Sequence, residues 1–492
     1  MNQPLRVCIC TPELAPLAKT GGLADAAGGL TRALAAAGCD VRVALPAYRS
    51  IDRDALHAVS IGSAGVRLGP SWVEVELYEG RLPGTSIPVY LVSHEPSFNR
   101  PGLYGEHGAD YPDNLRRFSV YGRGVLALLR RTAWHPDVVH CHDWQTALLP
   151  VWLRVEPAAL PSETATVFTI HNLAYQGVFD ADDLPLTGLG RDVFTPRGIE
   201  FWGRVNVLKG GLLFADLLTT VSRQYAAEIQ TPEFGCGLDG VLRDRRDDLV
   251  AIQNGVDYTV WDPASDALIP ARFTPGDLSG KAACKRHLQE THGIAIDPAV
   301  PLFGLVARLA EQKGVDLLGA TADAIIGLDA QLVLLGSGDP RYETLFRTLH
   351  ARYPARVAVA LGFDEALAHR IVAGADAYLM PSRYEPSGLN QLYSLRYGTV
   401  PVARRTGGLA DSIVDATPDA LARDAATGFV FDAYTPDAFL GAVKRAVFAF
   451  LDAAAWRRLQ QAGMRADFSW STAAPHYLDA YRRAVARRAA AR

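Results

Sequence analysis

No apolar run in the 492-residue chain approaches the roughly 18 residues that cross a bilayer, and Met1 to Pro4 leads into a strand without a basic and apolar leader. Neither membrane insertion nor secretion is expected, which leaves the cytoplasm as the compartment. Cysteine is sparse: Cys8, Cys10, Cys39, Cys141, Cys236 and Cys284 show no CxxC spacing and no framework density, which fits reduced thiols. An excess of positive charge is also missing. A formal net charge of -4 argues against nucleic acid as a main partner, because binding a phosphate backbone needs a basic surface. The basic end, Arg482 to Arg492, then reads as the solvated face of a last helix. With 49% hydrophobic and 21% charged residues the composition is that of an ordinary globular protein, and the length exceeds one usual core, so two domains are expected.

What the chain does contain is an echo. Thr20-Gly21-Gly22-Leu23-Ala24-Asp25, preceded by Lys19, returns unchanged as Thr406-Gly407-Gly408-Leu409-Ala410-Asp411. Each copy follows a short apolar run, Leu5 to Cys10 or Val400 to Ala403, and precedes a helical pattern, so each sits at a strand-to-helix turn. Paired glycines let the backbone approach a ligand, and the free N–H groups and dipole of a helix start favour phosphate. The echo suggests two related halves, each with an anion-binding turn. Two ordinary glycine turns in one α/β protein give the same sequence.

In the first half, Leu5 to Cys10, a helix over Gly22 to Ala37 and a strand over Asp40 to Leu45 make a βαβ opening. It lacks GxGxxG, and its second strand ends in Leu45-Pro46-Ala47-Tyr48 without the acidic residue that holds a ribose. Lys19 supplies a point charge for phosphate instead. Glu13 and Asp25 flank it with carboxylates able to bond sugar hydroxyls, although Asp25 alternatively only complements the helix dipole. Residues 50 to 118 read as a strand-rich insertion with strands at Trp72 to Tyr78 and Ile87 to Val92. Within it Tyr104, Tyr111, Asp113, Asn114 and Arg117 set aromatics beside hydrogen-bonding groups, the mixture of a sugar-acceptor surface; loop packing explains the same residues nearly as well. Strands over Asp137 to Cys141 and Ala165 to Ile170 lead into His142-Asp143-Trp144 and His171-Asn172, at the end where open α/β sheets bind ligands. The run His140-Cys141-His142 invites a metal, but neighbouring strand residues face opposite ways, so no metal is assigned. Asp216 to Val221 and Asp248 to Ile252 continue the pattern, and Asn254-Gly255-Val256-Asp257 marks the crossing into the second half.

From Pro301 the alternation is clean, with strands at Leu302 to Ala307, Leu332 to Leu335, Arg356 to Leu361 and Ala375 to Met380, each followed by a helical pattern. Five or six such units make a second doubly wound domain. Arg308 and Lys313 follow the first strand, Gly336-Ser337-Gly338-Asp339 the second, and Pro381 to Gly388 the fourth. Two cations near a helix start can neutralise a leaving diphosphate, and nothing in this half resembles a DxD metal clamp. Glu385 sits where a carboxylate can accept from sugar hydroxyls, and the N–H groups of Ser387, Gly388 and Leu389 open a helix toward phosphate. Beyond Thr427 to Phe431 the chain reads helical, with a break near Asp467 to Trp470 where the last helix crosses back to the first half. The expected domains are 1–250 with 470–492, and 251–469.

Taken together, Lys19 to Asp25, His142-Asp143-Trp144, His171-Asn172, Asn254 to Asp257, Arg308 with Lys313, the Glu385 loop and Thr406 to Asp411 closely resemble the bacterial glycogen synthases and plant starch synthases, in order and over nearly the whole chain. That resemblance implies the GT-B fold, two Rossmann-like domains facing a cleft. It also implies retaining transfer of glucose from ADP-glucose to the non-reducing end of an α-1,4-glucan, with no metal and no cofactor. By the same resemblance Lys19 and Gly22 meet the donor phosphates, Arg308 and Lys313 the diphosphate, and Glu385 the donor glucose, while Asp143 and His171 border the reacting centre. Asn254, Gly338, Phe363 and Thr406 complete the substrate-binding set, Phe363 where an aromatic, often Tyr, lies against the adenine. Two departures stand out. Related transferases place a second Glu eight residues after the first, where this chain has Tyr393, and many bacterial relatives have Cys at the position of Ser387. With no second carboxylate placed as a nucleophile, the implied route is a same-face substitution in which the departing diphosphate helps take the acceptor's proton and domain closure excludes water. The rivals on this architecture are a sugar-nucleotide 2-epimerase and a non-catalytic glucan-binding protein; a phosphorylase is disfavoured because no pyridoxal-phosphate lysine motif is recognisable.

Overall fold

The computed structural model describes residues 3–106, 108–156 and 159–490, so the first two residues and the last two of the basic end lie outside them. The chain forms two compact units: residues up to Gly255 together with those from Trp470 on, and Val256–Ser469.

The first unit is built on strands β1 (Arg6–Cys10), β2 (Asp40–Pro46), β3 (Val59–Leu68), β4 (Ser71–Arg81), β5 (Pro88–Ser93), β6 (Val138–His142), β7 (Ala165–Ile170), β8 (Leu217–Thr220) and β9 (Leu249–Ala251). They form one sheet in the order β9-β8-β7-β6-β1-β2-β5-β4-β3. Every residue of β6 and β7 is buried, which their apolar runs require in a parallel sheet covered on both faces. The expected insertion is not one: β3 and β4 extend the main sheet, β4 pairing antiparallel with β5. Val73, Val75 and Leu77 alternate inward along β4, so this part of the sheet has one wet face. Helix α1 (Gly22–Ala36) follows the first glycine turn. An 18-residue helix, α2 (Asn114–Arg131), was not foreseen and packs across β3, β4 and β5. Its pattern is blurred because Asn114, Arg117, Ser119 and Arg123 are buried along with Leu115, Phe118 and Leu126.

In the second unit β10 (Leu302–Val306), β11 (Gln331–Gly336), β12 (Val357–Leu361), β13 (Ala377–Met380), β14 (Val400–Arg404) and β15 (Phe429–Phe431) form a wholly parallel sheet, order β12-β11-β10-β13-β14-β15. Separate apolar clusters line its two faces, one around Leu318 and Phe346 and one around Leu288 and Ile371. Numbering only parallel strands, the first sheet runs 3-2-1-4-5-6-7 and the second 3-2-1-4-5-6, both on the doubly wound pattern. The order reverses between β1 and β6 in the first unit and between β10 and β13 in the second. Loops leaving those strands diverge there, which opens a crevice at their carboxyl ends.

The last helix, α3 (Trp470–Ala490), belongs to the first unit and places Trp470, Tyr477, Tyr481 and Ala484 in its core. Its basic residues are not merely a solvated face. Arg487 pairs with Asp248, Arg483 donates to the Asp247 carbonyl, and Arg488 donates to the Ser162 carbonyl at 3.0 Å. Among the described residues no helix is long and apolar enough to cross a membrane.

Candidate active site

At the reversal point of the first sheet the loop after β1 is folded around Glu13. This carboxylate is 4% exposed and accepts from the Thr20 N–H at 2.7 Å, the Thr20 hydroxyl at 2.6 Å, the Gly21 N–H at 3.2 Å and the Tyr104 hydroxyl at 2.8 Å. Its bonding capacity is spent on holding the glycine turn at the start of α1. Lys19 and Asp25 flank the turn and pair at 2.9 Å, both partly exposed, and Gly22 is the first helical residue. Of the three aromatic or amide residues assigned to acceptor sugar, Tyr104 is turned toward Glu13. Asn114 donates to the Tyr104 carbonyl and accepts from Arg117, and Tyr111 lies under the guanidinium groups of Arg100 and Arg117. All three make contacts that hold the loop together.

Beyond β6, Asp143 adopts φ 55 and ψ 179, a conformation that a residue with a side chain holds only under strain of about 1–3 kcal/mol. The surroundings enforce it: its N–H donates to the Thr169 carbonyl at 3.1 Å and its carboxylate accepts from the His171 N–H at 2.7 Å. Burial pushes this carboxyl up to about 7, against the lowering by the backbone N–H groups of His171 and Asn172. His171, on the neighbouring strand's end, contacts the His142 ring, Nε2 to Nδ1 at 2.9 Å. Burial lowers His171 to about 3 and His142 well below its ordinary value, so both are neutral. His140 spends its nitrogens on Tyr481 and Thr169, while Cys141 faces the opposite way toward Cys10. Asn254, past β9, is buried with its side-chain oxygen unpartnered among the described residues.

The raised Asp143 value carries a sign that can be measured. A carboxyl whose folded value lies above its ordinary one near 3.8 favours the fold fully at low pH, and the contribution is lost as pH rises from about 4 to 7. Asp143→Asn keeps an oxygen for the His171 N–H and removes the buried charge. It is expected to stabilise the protein at pH 8, by on the order of 2 kcal/mol, and to change little at pH 4. Thermal unfolding midpoints at the two pH values check this, and a variant less stable than the parent at pH 8 contradicts it.

The reversal point of the second sheet carries the other charged group. Glu385, 5% exposed on the loop after β13, accepts from Lys313 Nζ at 2.6 Å and from the Ser382 hydroxyl at 3.0 Å. Lys313 comes from the loop after β10, so the pair spans the point of divergence. Gly314 makes this possible: it has φ 68, and a Cβ there would stand 1.9 Å from the Pro381 carbonyl oxygen. Arg308 reaches Gln312 at 3.4 Å within the same loop. The second copy of the echo is pressed against the Glu385 loop. The Gly408 N–H donates to the Glu385 carbonyl at 3.0 Å, and Cβ atoms on Gly407 and Gly408 would lie 1.9 and 1.8 Å from the carbonyl oxygens of Glu385 and Ser387. At Gly21 of the first copy, by contrast, a Cβ would meet nothing. Identical letters thus serve different needs: close packing in the second unit, open backbone in the first.

Thr406 caps the short helix Gly407–Ser412, and Ser387, Gly388 and Leu389 precede the helix Asn390–Arg396. Gly338 sits after β11, its N–H on the Glu343 carboxylate, and Phe363 lies two residues past β12 with 81% of its surface exposed. Tyr393, where related transferases carry a second Glu, is 6% exposed and stacks on Trp261 at 3.9 Å, with His369 on the other face at 3.6 Å. His142, Ser382 and Thr20 lie within the quoted motifs but carry no role in the sequence; their hydrogen bonds reveal them, His142 to His171 on the neighbouring strand's end, Ser382 to Glu385 and Thr20 to Glu13 within their own loops.

Residues 6–244 match the starch synthase catalytic domain model and residues 291–448 the model for glycosyl transferases group 1. Glycogen synthase of Anaeromyxobacter dehalogenans (strain 2CP-C) is 50% identical over 481 residues, covering 97% of this chain and 99% of that one. The chain belongs to the glycogen and starch synthase family. Glycogen synthase 1 of Methylococcus capsulatus is 45% identical across 98% of this chain and 97% of its own. The structure of the catalytic domain of starch synthase IV from Arabidopsis thaliana, bound to ADP and acarbose, superposes with a TM-score of 0.91 at 34% identity, over 99% of this chain and 100% of that one. Sucrose-phosphate synthase from Thermosynechococcus elongatus, at 18% identity and a TM-score of 0.62 over 98% of this chain and 99% of that one, shares the fold. This member of the glycogen and starch synthase family is accordingly a glycosyltransferase of GT-B architecture.

Proposed function

We propose that this enzyme transfers glucose from ADP-glucose, with retention, to the non-reducing end of an α-1,4-glucan such as glycogen and releases ADP, in the cytoplasm and without a metal. The observation that carries the residue-level reading is the Lys313–Glu385 pair, 2.6 Å across the reversal point of a doubly wound sheet. Glu385 accepts from hydroxyls of the donor glucose, and its charge gains value as positive charge spreads over the sugar ring. Lys313 and Arg308 act on the leaving diphosphate, with backbone N–H groups at Ser387 to Leu389 beside them. Lys19 and the open glycine turn at Gly22 approach the donor phosphates, and Glu13 holds that turn in shape. Asp143 and neutral His171 border the reacting carbon, Asn254, Gly338 and Thr406 complete the substrate contacts, and exposed Phe363 offers a face to the base.

Two facts support a same-face substitution. Tyr393 stands in an aromatic stack where related transferases have a carboxylate, and the nearest carboxylate to Lys313 is Glu385, already ion-paired. The bound ADP in the starch synthase IV structure supports the choice of nucleotide.

Initial rates with ADP-glucose and UDP-glucose on glycogen test the donor. ADP-glucose is expected to be turned over faster, with ADP appearing as the glucan grows; equal or faster turnover of UDP-glucose refutes it. Activity should persist in EDTA, since cationic side chains take the role of a metal. Loss of activity on chelation, restored by magnesium, refutes that part.

A further inference from the structure

Three imidazoles lie along the carboxyl end of β6 and β7. His140 and His142, two residues apart on β6, share a face with ring centroids 4.1 Å apart, and His171 follows β7 with its ring 5.2 Å from that of His142. His140 is anchored at both nitrogens, Nδ1 on the Tyr481 hydroxyl at 2.9 Å and Nε2 on the Thr169 hydroxyl at 2.6 Å. It walls His142 in. His142 is 1% exposed; among the described residues its ring has one polar contact, Nδ1 to His171 Nε2 at 2.9 Å, and its Nε2 is buried with no partner.

Each neutral ring carries one proton, and the 2.9 Å contact needs one donor and one acceptor. If His171 donated from Nε2, the His142 proton would sit on Nε2, a buried N–H with no acceptor, which native structures seldom tolerate. If His142 donates from Nδ1, only an acceptor is left without a partner. We propose that His142 is a positioning residue that fixes the tautomer of His171, accepting no proton itself but donating from Nδ1, so that His171 presents a protonated Nδ1 to the substrate. The inference rests on the reading that His171 borders the reacting carbon. A neutral N–H there binds a sugar oxygen or growing negative charge on the leaving group without adding positive charge beside a sugar ring that is itself becoming positive. The opposite tautomer would offer a lone pair, and an imidazolium would repel the transition state. The identity of the hydrogen bond on one ring nitrogen sets what the other can do.

The test combines spectroscopy with an isosteric series. In enzyme labelled with 15N-histidine, the His171 signals are identified by their loss in His171→Asn, and their ring-nitrogen shifts report which nitrogen holds the proton. Nδ1 protonated in the parent is the expected result; Nε2 protonated overturns the inference directly, whatever the variants do. Asparagine carries an N–H where histidine has Nδ1, so His142→Asn should keep the tautomer and a kcat within about threefold of the parent. His142→Ala should lower kcat at least about tenfold at nearly constant donor KM, the mark of an interaction worth more in the transition state. If Asn and Ala lose equal activity while the tautomer is unchanged in both, the inference is overturned. If instead His171→Asn itself retains full kcat, the underlying reading of His171 fails, an outcome that the tautomer measurement distinguishes from failure of the inference alone.

Discussion

Glu385→Gln is expected to lower kcat by about two to three orders of magnitude while donor KM changes little, the cost of losing a preorganised charge if Glu385 faces the reacting sugar as proposed. Glutamine preserves size and can still accept one hydrogen bond, but its amide group cannot match both the sugar hydroxyls and the ammonium of Lys313, which now stands 2.6 Å from the carboxylate. The carboxylate is nearly buried, so its interaction with developing positive charge is weakly screened. Steady-state kinetics on folded variant, with the unfolding midpoint as control, gives the result. An unchanged kcat reassigns Glu385 to holding the loop, through Ser382 and Lys313, and removes it from the chemistry.

The second large effect is expected at Lys313. Charge on the diphosphate grows as the glycosidic bond breaks, so an ammonium aimed at it contributes more in the transition state than in the ground state, by about 2 to 4 kcal/mol if it behaves as an oxyanion donor. Lys313→Ala should therefore lose rate with ADP-glucose, whereas an activated glucosyl fluoride assayed with ADP present should lose much less, because its leaving group needs little help. The ion pair adds a further route: without Lys313 the buried Glu385 loses its counter-charge. That disturbance strikes both donors alike. Equal losses with the two donors would thus mean that Lys313 acts through Glu385, and the leaving-group assignment would be wrong.

Much of this was legible because parallel sheets declare themselves. Strands buried on both faces are mostly apolar, and their carboxyl ends are marked by polar clusters such as His142-Asp143 and Arg308 with Lys313. The pairing of Lys313 with Glu385 was not legible, since it joins loops 72 residues apart whose proximity depends on strand order. Residues 50–118 were read as an insertion because antiparallel strands with one wet face break the apolar rhythm, although they pair edge to edge with β5. Helix α2 keeps an apolar stripe at Leu115, Phe118, Val125 and Leu129, but its start is masked because Arg117, fully buried and bonded to the carbonyls of Ser97 and Leu103, reads in the sequence as a polar loop residue. Glu13 likewise looked like a ligand to sugar because a carboxylate beside a glycine turn has the same letters whether it faces outward or braces the turn.

The return of α3 to the first unit has a consequence for how the chain is made. A ribosome delivers residues in order, and Val256–Ser469 can close its own sheet as soon as that stretch has emerged. The half begun at Leu5 cannot. Until Trp470, Tyr477 and Tyr481 arrive, a face of its sheet and one side of α1 stay bare, and His140 lacks the Tyr481 hydroxyl. The part of the molecule translated first is therefore the last to be finished, and it waits with exposed apolar surface for more than two hundred residues of synthesis. Chains truncated near residue 469 and released from the ribosome should carry a protease-resistant second unit and a first unit that is still cleaved.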